Sequence, residues 1–317
     1  MSATDHEIDE AVAALRRGEV IGLPTETVYG LAADASSDEA VGRIYRIKGR
    51  PADHPLIVHL AQGASLEPWV AEVPATAARL GARLWPGPLT VVLRAGPHVS
   101  SVATGRRPTV AVRVPDHPVA AAVLERFQGG LAAPSANRFG RVSPTTAADV
   151  RSELGDDVPI VLDGGPSDVG LESTIVSLVA EPTLLRPGGV PAEVIEEVLG
   201  APLAAAAPTD RSAPGTLPSH YSPSADVVLV APDQVVDRAR VEAQAGRRAA
   251  VLVGPDVRVP RGVLALRTHD DPADQARVLY RRLRDADDLG AEVLITSLPE
   301  EVGLGRAVAD RLRRAAH

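Results

Sequence analysis

A single lysine, Lys48, stands among the 33 basic residues of the 317-residue chain, inside the run KGRPADHPL. Arg50 follows it, then a proline turn and an apolar stretch that carries His59. Lysine is a compact charge that seeks phosphate, and arginine is a planar fork that grips phosphate or carboxylate at two points. Two closely spaced cations beside an imidazole therefore make a candidate polyphosphate and carboxylate site. The same residues on an open surface would be an ordinary basic turn. In LPTETVYGL, a strand ending at Pro24 runs into Thr25, Glu26, Thr27 and Tyr29. Hydroxyls and amides at a strand end can hold a small polar ligand, although Thr25 or Thr27 alone could be a helix cap. TVAVRVP puts Thr109 and Arg113 four apart, on one face of a strand. An arginine in an apolar strand needs a partner, and a ligand is the expected one, ahead of a structural ion pair. LAAPSANRFGRVSPT offers Ser135, Asn137 and Ser143; GLESTIVSL offers Ser173 and Thr174; LLRPGG offers Arg186; and further on comes the dipeptide His220, Tyr221. Hydroxyl-rich loops at strand ends are where α/β proteins collect ligands, yet each serine could also serve as a turn cap, Ser143 before Pro144 above all.

Elements must position these groups. Ile8, Val12 and Leu15 predict a helix from Asp5, as N-cap, to Gly18, and Val20–Leu23 reads as a strand. Ser36 and Glu39 form a capping-box pattern ahead of Val41, Ile44 and Ile47, so a second helix should deliver Lys48 and Arg50 at its C-terminal end, where the helix dipole favours cations. Apolar runs at 56–60, 89–93, 110–114, 160–162 and 174–179 read as strands, interleaved with helices at 75–84, 118–127 and 145–154. The stretch 201–224 is rich in Pro, Ala and Ser without periodicity, which marks a linker. Beyond it, strands at 227–230, 249–253 and 293–295 alternate with helices at 234–245, 272–286 and 305–314, the pattern of a small open α/β sheet. The expected fold class is α/β, with residues 1–200 as one domain and 225–317 as a second.

Composition removes several chemistries. With no cysteine there is no disulfide framework, thiolate metal site or cysteine nucleophile. A net charge of −8 argues against bulk electrostatic coating of nucleic acid. The acidic start MSATDHEIDE and the absence of a long apolar run make secretion and membrane insertion unexpected and a cytoplasmic address the expectation. No GxxxxGK[ST] loop occurs, and GLGRAVADRL fails as a dinucleotide loop because Val308 stands where a third small residue is needed.

PTETVYGL, KGRP, WPGPLT, VRVP, APSAN, ESTIV, LRPG and PGTLPSHYSP occur in one order along nearly the whole chain. Together they resemble the YrdC-like L-threonylcarbamoyladenylate synthase family in its long, two-domain form. That resemblance implies a twisted, mixed-sheet catalytic domain with a concave substrate face, a linker at 201–224 acting as a lid, and a small Rossmann-like C-terminal domain. The activity it implies is nucleotidyl transfer: L-threonine, bicarbonate and ATP with Mg²⁺ give threonylcarbamoyl-AMP and diphosphate for downstream tRNA threonylcarbamoyl-transfer machinery. Carried over, Thr27, His59, Arg113 and Ser173 would hold L-threonine. Lys48, Arg50, His54, Thr109, Ser135, Asn137, Ser143, Arg186 and Tyr221 would surround ATP, with Lys48 and Arg50 also placed as catalytic. His54 departs from the usual Asn of that turn, and Leu217 and Pro218 stand in a lid motif that is usually more basic. The alternative is a double-stranded RNA or tRNA-binding module without ATP turnover; a carbamoyl-phosphate-using enzyme is disfavoured because the cysteine-rich zinc modules of such proteins are missing.

Overall fold

The structure, a computed structural model, describes residues 3–207, 214 and 221–316. It divides into two compact units, Met1–Phe139 with Ser143–Asp168 and Glu172–Thr216, and Gly140–Val142 with Val169–Leu171 and Leu217–His317.

The first unit opens with α1 (Asp5–Arg16), capped by Thr4 and not by Asp5. Thr4 Oγ1 accepts from the Glu7 amide while the Glu7 carboxylate accepts from the Thr4 amide, a reciprocal capping box. β1 (Ile21–Leu23) and β2 (Gly30–Asp34) pair antiparallel across the PTETVY connection. α2 (Asp38–Lys48) is capped by Ser37, which accepts from the Ala40 amide, whereas Ser36 bonds back to Asp34; the expected Ser36–Glu39 box is therefore one residue out. Gly49, at φ 63°, ends α2 in the left-handed conformation that suits glycine. Arg50 thus leaves the helix.

β3 (Ile57–His59), α3 (Ala75–Leu84), β4 (Leu89–Arg94), β5 (Thr109–Arg113), α4 (Pro118–Phe127), β6 (Leu131–Ala132), α5 (Ala147–Leu154), β7 (Thr174–Ser177), β8 (Thr183–Arg186), α6 (Ala192–Leu199) and β9 (Ala204–Ala205) complete the unit. Its sheet is mixed, in the order β1-β2-β6-β3-β5-β4-β7-β8-β9. The run 160–162, expected as a strand, makes only an isolated bridge from Val161 to Gly22. β9 begins inside the stretch expected to be linker, pairing parallel with β8.

Two-residue alternation sorts the central strands. Val58, Val91, Leu93, Val110 and Val112 enter the main core with Tyr29, Ile44, Leu80 and Ile195. Ile57, Val92, Ala111, Ile175 and Leu185 form a smaller patch on the opposite face. Side chains two residues from those of the patch share its face, which places His59, Thr90, Arg113 and Ser173 around it. A third cluster packs α1 and α4 against Ile21, Leu23 and Leu131.

In the second unit, β10 (Asp226–Leu229), α7 (Val235–Gln244), β11 (Ala249–Val253), β12 (Leu264–Arg267), α8 (Pro272–Asp288), β13 (Val293–Thr296) and α9 (Gly305–Ala315) build a four-stranded sheet, all parallel, in the order β10-β13-β11-β12. β11 and β13 are buried throughout, as strands covered on both faces must be. This is the expected Rossmann-like arrangement, with β12 as an unforeseen edge strand.

Candidate active site

Arg113 ends β5, and in register beside it on parallel β3 is His59. The Arg113 guanidinium donates from Nε to the Gly87 carbonyl (3.2 Å) and from Nη1 to Thr27 Oγ1 (2.9 Å). Its Nη2 lies 2.6 Å from Glu26 Oε1, both side chains being buried. The structural ion pair, set second to a ligand in the sequence reading, is thus present. Gly87, Thr27 and Glu26 engage one N–H each, which leaves two of the guanidinium's five donors for a ligand.

The connection that carries Thr27 is buried from Pro24 to Tyr29 and bonds to itself. Thr25 Oγ1 donates to the Val28 carbonyl (2.6 Å) and meets Thr27 Oγ1 at 2.8 Å. It is a rigid loop, not a helix cap. His59 is held neutral, its imidazole pushed down to about 3 by burial and by the Arg113 charge.

Across β4, Thr90 and Ser173 share a hydrogen bond of 2.7 Å. Arg186, at the end of β8, donates to the Ser173 carbonyl through Nε (3.2 Å) and Nη2 (2.8 Å), and through Nη1 to the Pro214 carbonyl (3.0 Å). The polar groups His59, Arg113, Thr90, Ser173 and Arg186 therefore form a row across five neighbouring strands, beside the apolar patch of Ile57, Val92, Ala111 and Ile175. Such a row can bind an anion and a hydroxyl while the patch receives a small apolar group.

Lys48 and the APSAN loop make a second group. Its ammonium donates to the Ser135 carbonyl (2.5 Å) and to the Asn137 carbonyl, fastening that loop to α2. Burial, and then the nearby Arg50 charge, hold the amine well below its usual range. Arg50 donates to the Pro55 carbonyl (3.1 Å) and to the His54 carbonyl (3.5 Å), and its guanidinium lies 5.8 Å from the centre of the Phe139 ring. His54 meets the edge of that ring at 5.6 Å. Ser143 donates to Glu172 (2.6 Å), an acid just ahead of Ser173.

Not every expected residue joins these groups. Thr109 shares a face with Arg113 but starts β5 opposite Arg94, about 13 Å away at the rise of an extended strand. Tyr221 belongs to the second unit, where its ring stacks on Tyr280 (5.6 Å between centres) with the Arg311 guanidinium 5.0 Å from its centroid. His220, Leu217, Pro218 and most of the expected lid lie outside the described residues. Glu172 and Thr90 were not named from the sequence, and Glu26 was named without a role, although each sits inside a quoted motif. The signal that could have found Glu26 is an acid between two threonines in an otherwise apolar run. Among the described residues, no cluster of His, Asp and Glu could by itself hold a metal ion, and no helix is long and apolar enough to cross a membrane.

Residues 13–188 match the family model Sua5_yciO_yrdC, described as "Telomere recombination", and residues 190–317 match "Threonylcarbamoyl-AMP synthase, C-terminal domain". A relative from Pyrococcus abyssi named threonylcarbamoyl-AMP synthase is 40% identical, covering 96% of this chain and 93% of its own length. One of the same name from Bacillus subtilis is 37% identical over 100% of this chain and 94% of its own. The solved structure of P. abyssi Sua5 complexed with L-threonine superposes with a TM-score of 0.92 at 38% identity, over 98% of this chain and 94% of that one. By sequence along its whole length and by fold, the chain belongs to the Sua5/YciO/YrdC family, in the two-domain Sua5 form.

Proposed function

We propose that this protein is an L-threonylcarbamoyladenylate synthase, joining L-threonine, bicarbonate and ATP into threonylcarbamoyl-AMP, diphosphate and water as the first step of threonylcarbamoyladenosine formation in tRNA. The observation that carries the reading is Arg113, a buried guanidinium with donors to spare, flanked by Thr27, neutral His59 and the Thr90–Ser173 pair. Kinship with named synthases along the full chain supports it.

The Arg113 fork takes the threonine carboxylate, with Thr27 and His59 beside it. Ser173 receives the side-chain hydroxyl, and the methyl group meets the apolar patch. The threonine amine captures bicarbonate as a carbamate, whose oxygen attacks the α-phosphate with diphosphate as the leaving group. No covalent enzyme intermediate is needed, so the protein acts by alignment and by charge stabilisation. Arg50 and Arg186 supply positive charge for the phosphates, and Lys48 holds the Ser135–Asn137 loop beside them. Ser135, Asn137, Ser143 and His54 are their polar neighbours. Mg²⁺ enters with ATP as part of the substrate. The product passes to tRNA threonylcarbamoyl-transfer machinery in the cytoplasm.

The test is diphosphate release from ATP, Mg²⁺ and bicarbonate with L-threonine, with L-serine, and with no amino acid. Release that requires threonine supports the reading. No release from folded protein contradicts it.

A further inference from the structure

Glu26 is 5% exposed; its Oε1 is paired with Arg113, and its Oε2 receives no hydrogen bond among the described residues. Arg113 Nη2 stands 2.6 Å from Oε1 in an ion contact. Buried carboxylates are nearly always supplied with donors, because an ionised oxygen taken from water and left bare is strongly unfavourable. Thr25 and Thr27, its neighbours in the chain, cannot be those donors. Thr25 gives its proton to the Val28 carbonyl, and Thr27 faces Thr25 and Arg113. The loop is buried and bonded to itself, so the carboxylate cannot readily swing out to water.

A cation and an anion paired side by side, with Glu26 Oε2 and two Arg113 N–H groups uncommitted, match a ligand carrying the opposite charges on neighbouring atoms. An α-amino acid zwitterion is such a ligand. We infer that Glu26 accepts the α-ammonium of the amino-acid substrate while Arg113 holds its carboxylate; this rests on the reading that the site takes L-threonine. The same contact serves the chemistry. An ammonium has no lone pair, so one N–H bond must break before attack. The proton goes to the Glu26 carboxylate, and the neutral amine and bicarbonate then give carbamate and water. Glu26 thereby takes the one proton that the overall step releases.

Glu26→Gln keeps the shape of the side chain and removes its charge. Full-length wild type and E26Q are titrated calorimetrically with L-threonine and with 2,3-dihydroxybutanoate, in which a hydroxyl replaces the ammonium. Wild type should prefer threonine, and E26Q should lose about tenfold or more of that preference, as expected for one charge-assisted hydrogen bond. An equal loss for both ligands, or no loss, would show that Glu26 serves Arg113 alone and would overturn the inference while leaving the reading of a threonine site standing on the wild-type titration. If wild type binds no threonine, the functional reading fails and the inference falls with it. Should E26Q not fold, a crystal structure of wild type with threonine decides. Ammonium nitrogen within about 3.2 Å of a Glu26 oxygen upholds the contact, and nitrogen bonded elsewhere overturns it.

Discussion

Burial in β3 beside Arg113 pushes the His59 imidazole down to about 3 from an ordinary value of 6.5. Between these two values the unfolded chain takes up a proton that the folded protein refuses, so this group's contribution to stability falls as pH drops from about 6.5 towards 3. His59→Gln should flatten that part of the pH profile by an amount on the order of a few kcal/mol. Urea midpoints of variant and wild type over that range check it, and parallel profiles would contradict it. Arg113 stands on different physics, since its fork geometry matters as well as its charge. Arg113→Lys should raise the KM for threonine about tenfold or more, because an ammonium cannot reach Gly87, Thr27 and a carboxylate together; the KM for ATP should stay near wild type. At this scale the sequence was informative where a residue type was out of place, as with the lone Lys48 and an arginine among valines. It was silent on pairing. Glu26 could not be seen as the partner of Arg113 from positions far apart in the chain, because the β1–β2 connection and the end of β5 come together only in the folded protein.

Elements whose patterns were strong appear within a residue or two of expectation, as α3 and α4 do. Those that escaped are short or atypical. β2 is GLAAD, with no alternation of polar and apolar residues because it is covered on both faces. α6 is entered through Pro191 without a side-chain cap, so the usual start signal was missing. The caps of α1 and α2 were each displaced by one residue, since Thr4 and Ser37 compete with neighbours that are equally good hydrogen-bond acceptors on paper. Thr4→Ala removes the Oγ1 half of the α1 capping box and should lower stability by about 1 kcal/mol, read as a lower melting temperature with unchanged activity. Gly188 joins β8 to α6 under tighter constraint. A Cβ there would stand 2.3 Å from the Glu172 carbonyl oxygen and 2.4 Å from the Ser173 carbonyl carbon. That carbonyl is the one Arg186 grips. Backbone cannot yield as a side-chain tip does, so Gly188→Ala should cost about 1–3 kcal/mol and also slow turnover; a neutral result in both would contradict the packing described.

At the scale of the molecule, the change of composition after Leu199 announced two bodies, and the alternation of strand and helix beyond Pro223 announced the second one's parallel sheet. What composition could not reveal is that Gly140–Val142 and Val169–Leu171, both early in the chain, belong to the second unit. Division by contacts need not follow division by sequence. The net charge of −8 bears on partners: tight RNA binding depends on cations that release counterions. The protein should not retain double-stranded RNA at physiological salt in a filter assay, and salt-sensitive retention would favour the RNA-binding alternative. The central claim is the reaction itself. Diphosphate release from ATP and bicarbonate, followed with and without L-threonine, tests it most directly. Release that depends on threonine and is much weaker with serine is the result expected, whereas release indifferent to the amino acid, or none from folded protein, would contradict it.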